Sequence, residues 1–313
     1  RTIDEGSLAV DGTGADPVSG RLAYRFRFAG GHRLVDEALS LLDVAIDRQA
    51  FARAHPDSIV HLNLLDLDIA LLSVANHPRH HAGYLLRHNR LHQRLIELKL
   101  SKYNVRGKTR PSLPTEVIGA RPIVLVPGQV ESAASIAHGS PEIKTNQALL
   151  EAVRQNRPDA FVVYKPHPDV VSGARIGLLG KTARELYDLE LVDYDIIDLI
   201  ELADEIHTMC SLTGFEGLMR NKEVHTYGLP FYAGWGLTHD RLSSPRRQRR
   251  LTLDALIAGA LLMYPTYVDP ISGEFCNADT AVELMQQQRD RRSGLPLRVR
   301  LYRLYRNLFS RRQ

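Results

Sequence analysis

Two hydrophobic rhythms follow one another along this chain. From His32 to about Tyr103 apolar residues return every three or four positions, first at Leu34, Ala38, Leu41, Leu42 and Ala45, then at Leu85, Leu91, Leu95 and Leu98. That spacing predicts several helices. After Arg121, short unbroken apolar runs alternate with helical stretches. The runs predict strands at Pro122 to Pro127, Ala160 to Tyr164, Glu205 to Met209 and Val224 to Tyr227. Between them the pattern predicts helices at Asn146 to Arg154, Asp195 to Leu202 and Gly214 to Arg220. Such alternation makes an α/β fold with a parallel, doubly wound, Rossmann-like sheet. A last helix, Thr252 to Tyr264, starts on a hydroxyl suited to cap its free amides.

The flanks are less regular. Arg1 to Gly31 is rich in Gly, Asp and Ser, with one short alternating stretch at Leu22 to Phe28, and Asn104 to Arg121 reads as a linker. The expected organisation is a mostly helical portion at 1–105, the Rossmann-like domain at 106–285 and a C-terminal helix at 286–313. In that last helix Leu301, Leu304, Tyr305, Leu308 and Phe309 share one face, flanked by Arg298, Arg300, Arg303 and Arg306. A basic amphipathic helix of this kind lies on an anionic membrane surface or docks on its own protein.

Composition narrows the class. Over 313 residues, 44% are hydrophobic and 24% charged, as in a soluble globular protein with room for two domains. The formal charge of +4 conceals the arginines gathered at the C-terminal end. Cys210 and Cys276 form no CxxC pair and no His-rich ligand set, which argues against a disulfide framework and structural zinc. No apolar segment approaches bilayer length, no signal peptide opens the text, and a cytoplasmic location is expected. Because it starts at Arg1 within a loop-like stretch, the sequence reads as a fragment or a processed product.

Candidate chemistry gathers where the expected strands end. Tyr164-Lys165-Pro166-His167-Pro168-Asp169 places a cation and an imidazole after one strand, the two prolines stiffening the corner. Ser211-Leu212-Thr213-Gly214 follows another strand and opens a helix, with Glu216 two residues on. Lys165, His167, two hydroxyls and helix-start amides suit a phosphate. Each stretch has a plainer reading: a polar loop after a buried strand, hydroxyls that only cap a helix, a solvent-exposed glutamate. A third stretch, Gly128-Gln129-Val130-Glu131 with Ser132 and Ser135, follows the first strand; Gln129 and Ser135 fit ligand oxygens and Glu131 a sugar or base. The glycine-rich Tyr227 to Thr238 loop carries the single tryptophan, Trp235, which either forms a platform for a sugar or base or closes the sheet as core. Arg246, Arg247, Arg249 and Arg250 read by default as a solvated loop, and Asp4-Glu5-Gly6 as either a turn or a carboxylate pair for base or nucleophile work.

Taken together, these stretches resemble the capsule-polysaccharide β-Kdo transferases of Gram-negative bacteria, the KpsC type. The resemblance runs from Leu95 to Leu284 and includes Ser101-Lys102-Tyr103-Asn104, Val126 to Glu131, Tyr164 to Val170, Ser211 to Glu216, the Tyr227 to Thr238 loop and Tyr264 to Pro270. At motif level it is also similar to bacterial sialyltransferases built of two Rossmann-like lobes. It implies a GT-B-like glycosyltransferase moving Kdo from CMP-Kdo to a lipid-linked saccharide in capsular polysaccharide biosynthesis and export. It further implies a protein peripheral to the inner membrane, working with capsule assembly machinery, with no nucleic acid, metal or other cofactor. Residue by residue, it assigns His167 with Pro168 to the CMP phosphate, Ser211 and Thr213 to phosphate oxygens, and Asp4 or Glu5 to catalysis. Gln129, Glu131, Ser135, Lys165, Gly214 and Glu216 complete the expected donor site. The front departs from the family pattern, since Asp4-Glu5-Gly6-Ser7-Leu8-Ala9 lacks the arginine that follows there, and residues 1–105 hold only part of an acceptor-side lobe. A noncatalytic CMP- or phosphoglycan-binding module, a degenerate half of a two-module transferase, is the alternative.

Overall fold

The computed structural model describes residues 67–68, 70–73, 82–101, 111, 113–171, 179–265, 267–269, 272 and 274–291. All of them lie in the compact unit Asn63–Gln313. The carboxylates Asp4 and Glu5, the expected elements before residue 67 and the basic amphipathic tail lie outside the described residues.

At the centre is a six-stranded sheet. Its strands are β1 (Ile123–Pro127), β2 (Phe161–Lys165), β3 (Leu189–Glu190), β4 (Glu205–Thr208), β5 (Glu223–Thr226) and β6 (His239–Asp240). Spatially they run β3-β2-β1-β4-β5-β6, and every pairing is parallel. Parallel strands need crossovers, and the helices supply them. Between β1 and β2 come α1 (Ala134–Gly139) and α2 (Asn146–Asn156); α3 (Ile196–Leu202) precedes β4, and α4 (Leu212–Leu218) joins β4 to β5.

All five residues of β1 and of β2 are buried. Burial on both faces is why these strands read as unbroken apolar runs. Alternate side chains serve opposite faces. Val124, Val126 and Val162 pack with Ile136 of α1 and Leu149, Leu150 and Val153 of α2. Ile123, Leu125, Phe161 and Val163 face the other way, onto Ile197 and Ile200 of α3 and Phe215 and Leu218 of α4. Leu113 and Val117, within the stretch expected as linker, are buried in that second core.

The expected last helix divides. Thr252 caps α5 (Leu253–Ala258), accepting the Ala255 amide at 3.1 Å, and the helix then widens into a π turn at Gly259–Met263. Leu71 packs so closely on Gly259 that a Cβ there would stand 2.5 Å from its Cδ2. A longer helix, α6 (Ala82–Glu97), ties itself to the end of α4 by a 2.7 Å bond between His92 Nε2 and the Met219 carbonyl. Its Leu91 packs against Val282 of α7 (Ala278–Arg291), a helix whose apolar positions are too sparse to announce it. No helix among the described residues is long and apolar enough to cross a membrane.

Candidate functional site

In a parallel sheet all strands end on the same edge, and the strand order reverses between β1 and β4. Ligands of open α/β sheets bind outside the carboxyl ends at such a reversal. Every described candidate from the sequence lies on or just after this edge. The ends of β2 and β4 flank β1, about 10 Å apart at the usual strand spacing.

After β1, Gln129 is held on both sides. Its N–H donates to Asn146 Oδ1 at 2.8 Å and its carbonyl accepts Asn146 Nδ2 at 2.9 Å. Its side-chain Oε1 accepts the Thr208 hydroxyl and the Cys210 amide, each at 3.0 Å. Gln129 therefore bridges β1 to β4 beneath the reversal. Glu131 accepts the Asn146 amide at 2.8 Å, setting a carboxylate at the start of α2, where the helix dipole favours it. Ser135 stands exposed on α1.

After β2, Lys165 is buried, and its ammonium donates to the Val192 carbonyl at 3.1 Å. Burial raises the Asp195 carboxyl against the opposing pull of Lys165, so this cation already has acidic company. The corner that follows opens a four-residue helical turn, Pro168–Val171, with proline in the first position it tolerates best. His167 caps that turn: its Nδ1 accepts the Asp169 amide at 3.1 Å. An Nδ1 that accepts makes Nε2 the proton-bearing nitrogen of the neutral ring. That tautomer can donate to an anion.

After β4, Ser211 is the N-cap of α4. Its Oγ accepts the Thr213 amide at 3.2 Å and donates to Thr213 Oγ1 at 3.0 Å. The Thr213 hydroxyl proton has no acceptor among the described residues. Capping is thus present, and the pair still has a proton to offer. Gly214 serves a different purpose from the one expected. A Cβ there would come within 2.3 Å of the Tyr232 hydroxyl, so the missing side chain admits Tyr232 and leaves no ligand room at that point. Tyr232 in turn donates to the Ser211 carbonyl at 2.5 Å. Gly214→Ala is expected to displace Tyr232 and cost about 1–3 kcal/mol of stability, read from the denaturant midpoint. Glu216 is buried within α4, contrary to its plain reading as a solvent-exposed helix residue.

The aromatic loop resolves in favour of core. Trp235 is fully buried and donates its Nε1–H to the Phe231 carbonyl at 2.8 Å, which removes it as a platform. Arg247, expected in a solvated loop, is buried too. Its Nε meets Asp68 Oδ1 at 3.0 Å and its Nη1 donates to the Pro230 and Ala233 carbonyls at 2.6 and 2.9 Å. This clamp, together with Asn146 and Tyr232, is what sequence reasoning missed; a lone arginine among four gives no sign of burial. A cavity of about 340 Å³ lined by Gly234, Gly236, Asp240, Arg241 and Ser244 opens beyond the end of β6, at the sheet margin and away from the reversal. Cys210, although close to the β4 end, is no nucleophile, since burial pushes its thiol up to about 12.

Lys165, His167, Ser211 and Thr213 thus stand at the carboxyl ends of the strands beside the reversal. A family model described as "Capsule polysaccharide biosynthesis protein" matches residues 52–276. The chain belongs to this capsule biosynthesis family. Among its relatives is the capsule polysaccharide modification protein LipA of Neisseria meningitidis serogroup B, 49% identical over 202 residues, which are 64% of this chain and 28% of LipA. Two solved structures from Thermosulfurimonas dismutans are similar. KpsC, beta Kdo 2,7 transferase, has 41% identity and a TM-score of 0.55 over 66% of this chain and 62% of that one. KpsC, beta Kdo 2,4 transferase, has 33% identity and a TM-score of 0.57 over 65% and 63%. This capsule family member therefore spans about a quarter of LipA's length and under two thirds of each KpsC chain.

Proposed function

We propose that this protein is the donor-binding part of a GT-B-like Kdo transferase, taking CMP-Kdo as donor and a lipid-linked saccharide as acceptor at the cytoplasmic face of the inner membrane. The observation that carries the reading is the 41% identity to a KpsC beta Kdo 2,7 transferase, together with His167, Ser211 and Thr213 at the ends of the two strands that flank β1, within the residues the family model matches. In transfer, the bond from the Kdo anomeric carbon to the CMP phosphate breaks and the electron pair leaves with CMP. Fixed donors aimed at that phosphate stabilise the charge without reorganising. His167 Nε2–H and the Thr213 hydroxyl are such donors, and Ser211 fixes Thr213. A carboxylate, assigned by resemblance to Asp4 or Glu5, takes the acceptor proton or attacks the anomeric carbon first.

Incubation with CMP-Kdo and a synthetic Kdo-lipid, scoring CMP release and chain extension, tests the reading. Extension lost in His167→Ala and in Asp4→Asn is the expected result. Extension that survives His167→Ala contradicts the leaving-group site. CMP binding without any extension supports the binding-module alternative.

A further inference from the structure

Outside the donor edge, one face of the sheet carries a row of histidines where a buried parallel sheet ordinarily carries Val, Ile or Leu. His207 on β4 is in register with His225 on β5, and His225 with His239 on β6. Two residues earlier, and so on the same face, Glu205 is in register with Glu223. The rings stack across the strands, His207 to His225 at 4.1 Å and His225 to His239 at 4.6 Å, with interplanar angles of 14° and 18°. Stacked this way, the two outer imidazoles aim the same nitrogen at one carboxylate oxygen. His225 Nε2 lies 2.9 Å and His239 Nε2 3.2 Å from Glu223 Oε1.

We propose that His225, His239 and Glu223 bind one divalent transition-metal ion of the zinc class at the β5–β6 margin of the sheet. Zinc takes imidazole nitrogen and carboxylate oxygen at about 2.0–2.2 Å, so ligand atoms in a tetrahedral site lie roughly 3.3 Å apart. The three ligand atoms here lie within 4.8 Å of one another, and the two imidazole-to-carboxylate separations already match. Closure needs only a small turn of His239, whose side chain is 64% exposed. Exposure decreases inward, to 44% at Glu223 and 22% at His225, so an ion enters from the margin without unfolding.

Behind these three stands a supporting layer of the kind metal ligands need. Glu205 Oε2 is 3.7 Å from His225 Nε2, receives Arg157 Nε at 2.9 Å, and lies 3.0 Å from His207 Nε2. His207 Nδ1 is in turn 3.0 Å from the Tyr227 hydroxyl. Glu205 is placed to take the fourth coordination position or to orient a water there. The ion's work is structural. β6 has only two residues, yet its Asp240 accepts the Thr226 and Thr238 hydroxyls at 2.7 and 2.6 Å and the Gly234 amide at 2.8 Å. Joining His239 to β5 through a metal pins this short strand and the loop that Asp240 organises.

The test strips the whole chain with a chelator and titrates it with Co²⁺, whose visible absorption reports tetrahedral nitrogen and oxygen ligands, with Zn²⁺ as competitor. One equivalent is expected to bind at micromolar metal, and Zn²⁺ at a hundredfold over its Kd is expected to raise Tm by about 4 °C. Because His239 is exposed, His239→Ala should abolish both effects while the stripped chain keeps the parental Tm. Glu223→Gln, which preserves shape, is expected to do the same and decides the matter should His239→Ala itself unfold the strand. Absence of stoichiometric uptake overturns the proposal, and so does uptake that persists at full strength in Glu223→Gln. The row is then a hydrogen-bonded ladder that protects a sheet edge.

Discussion

Asp68→Ala is expected to cost about 3–5 kcal/mol of folding stability, the cost of leaving a buried charge without its partner. The cause is that Arg247 cannot follow its partner into water. Both side chains are almost wholly buried, at 1% and 2% exposure, and Arg247 is fastened to the Pro230 and Ala233 carbonyls besides. With Asp68 gone, the guanidinium stays dry with its charge uncompensated. The loop from Pro230 to Trp235 then loses its anchor. Guanidinium denaturation with an unchanged m-value measures the effect. Replacing both partners with apolar residues of similar size, Asp68→Leu with Arg247→Met, should recover most of the loss. A cost below about 1 kcal/mol for Asp68→Ala alone would show that the pair carries no net stabilisation.

For ligand binding the largest expected effect is at His167. His167→Ala should weaken CMP by about 10- to 100-fold and leave cytidine binding unchanged, since a hydrogen bond to a charged group contributes about 1.5–3 kcal/mol. The Nδ1 bond from the Asp169 amide fixes the ring so that Nε2 carries the proton. Removing the ring therefore deletes a cap and, on the proposed function, a donor to phosphate. His167→Asn separates the two, because asparagine caps well but does not reach as far. Isothermal titration with CMP and cytidine is the measurement, with thermal unfolding run beside it. Equal CMP affinity in wild type and His167→Ala would remove residue 167 from the phosphate site. A uniform loss for CMP and cytidine would assign it to the fold instead.

The legible part of the fold has a clear origin. β1 and β2 could be read because strands buried on both faces are ordinarily apolar throughout, whereas the equally buried β4 carries Glu205, His207 and Thr208 around a single isoleucine; Thr145, Asp195, Ser211 and Thr252 stand at helix starts as caps. The two-residue strands β3 and β6 left no such run, although β6 sets the sheet's margin. The candidate site was legible at Lys165, His167, Ser211 and Thr213 because each follows an apolar run directly. What these residues contact was not. Lys165 turned to the Val192 carbonyl, Glu131 to the start of α2, and Gly214 to Tyr232, in each case because a buried polar group or an empty volume must be matched by whatever the fold brings near.

By itself, then, the sequence determined the alternation from β1 through α2, β2, α3, β4 and α4 to β5, the parallel sheet and the set of polar residues delivered to its carboxyl edge. Those follow from hydrophobic period and chain direction, which are local. Only the tertiary structure decided that Trp235 is core, that Arg247 is a buried clamp on Asp68, and that His207, His225 and His239 form one row. Partnerships of this kind join residues far apart in the chain. They depend on strand register and on which charge lacks water, and neither is written in any short stretch of sequence.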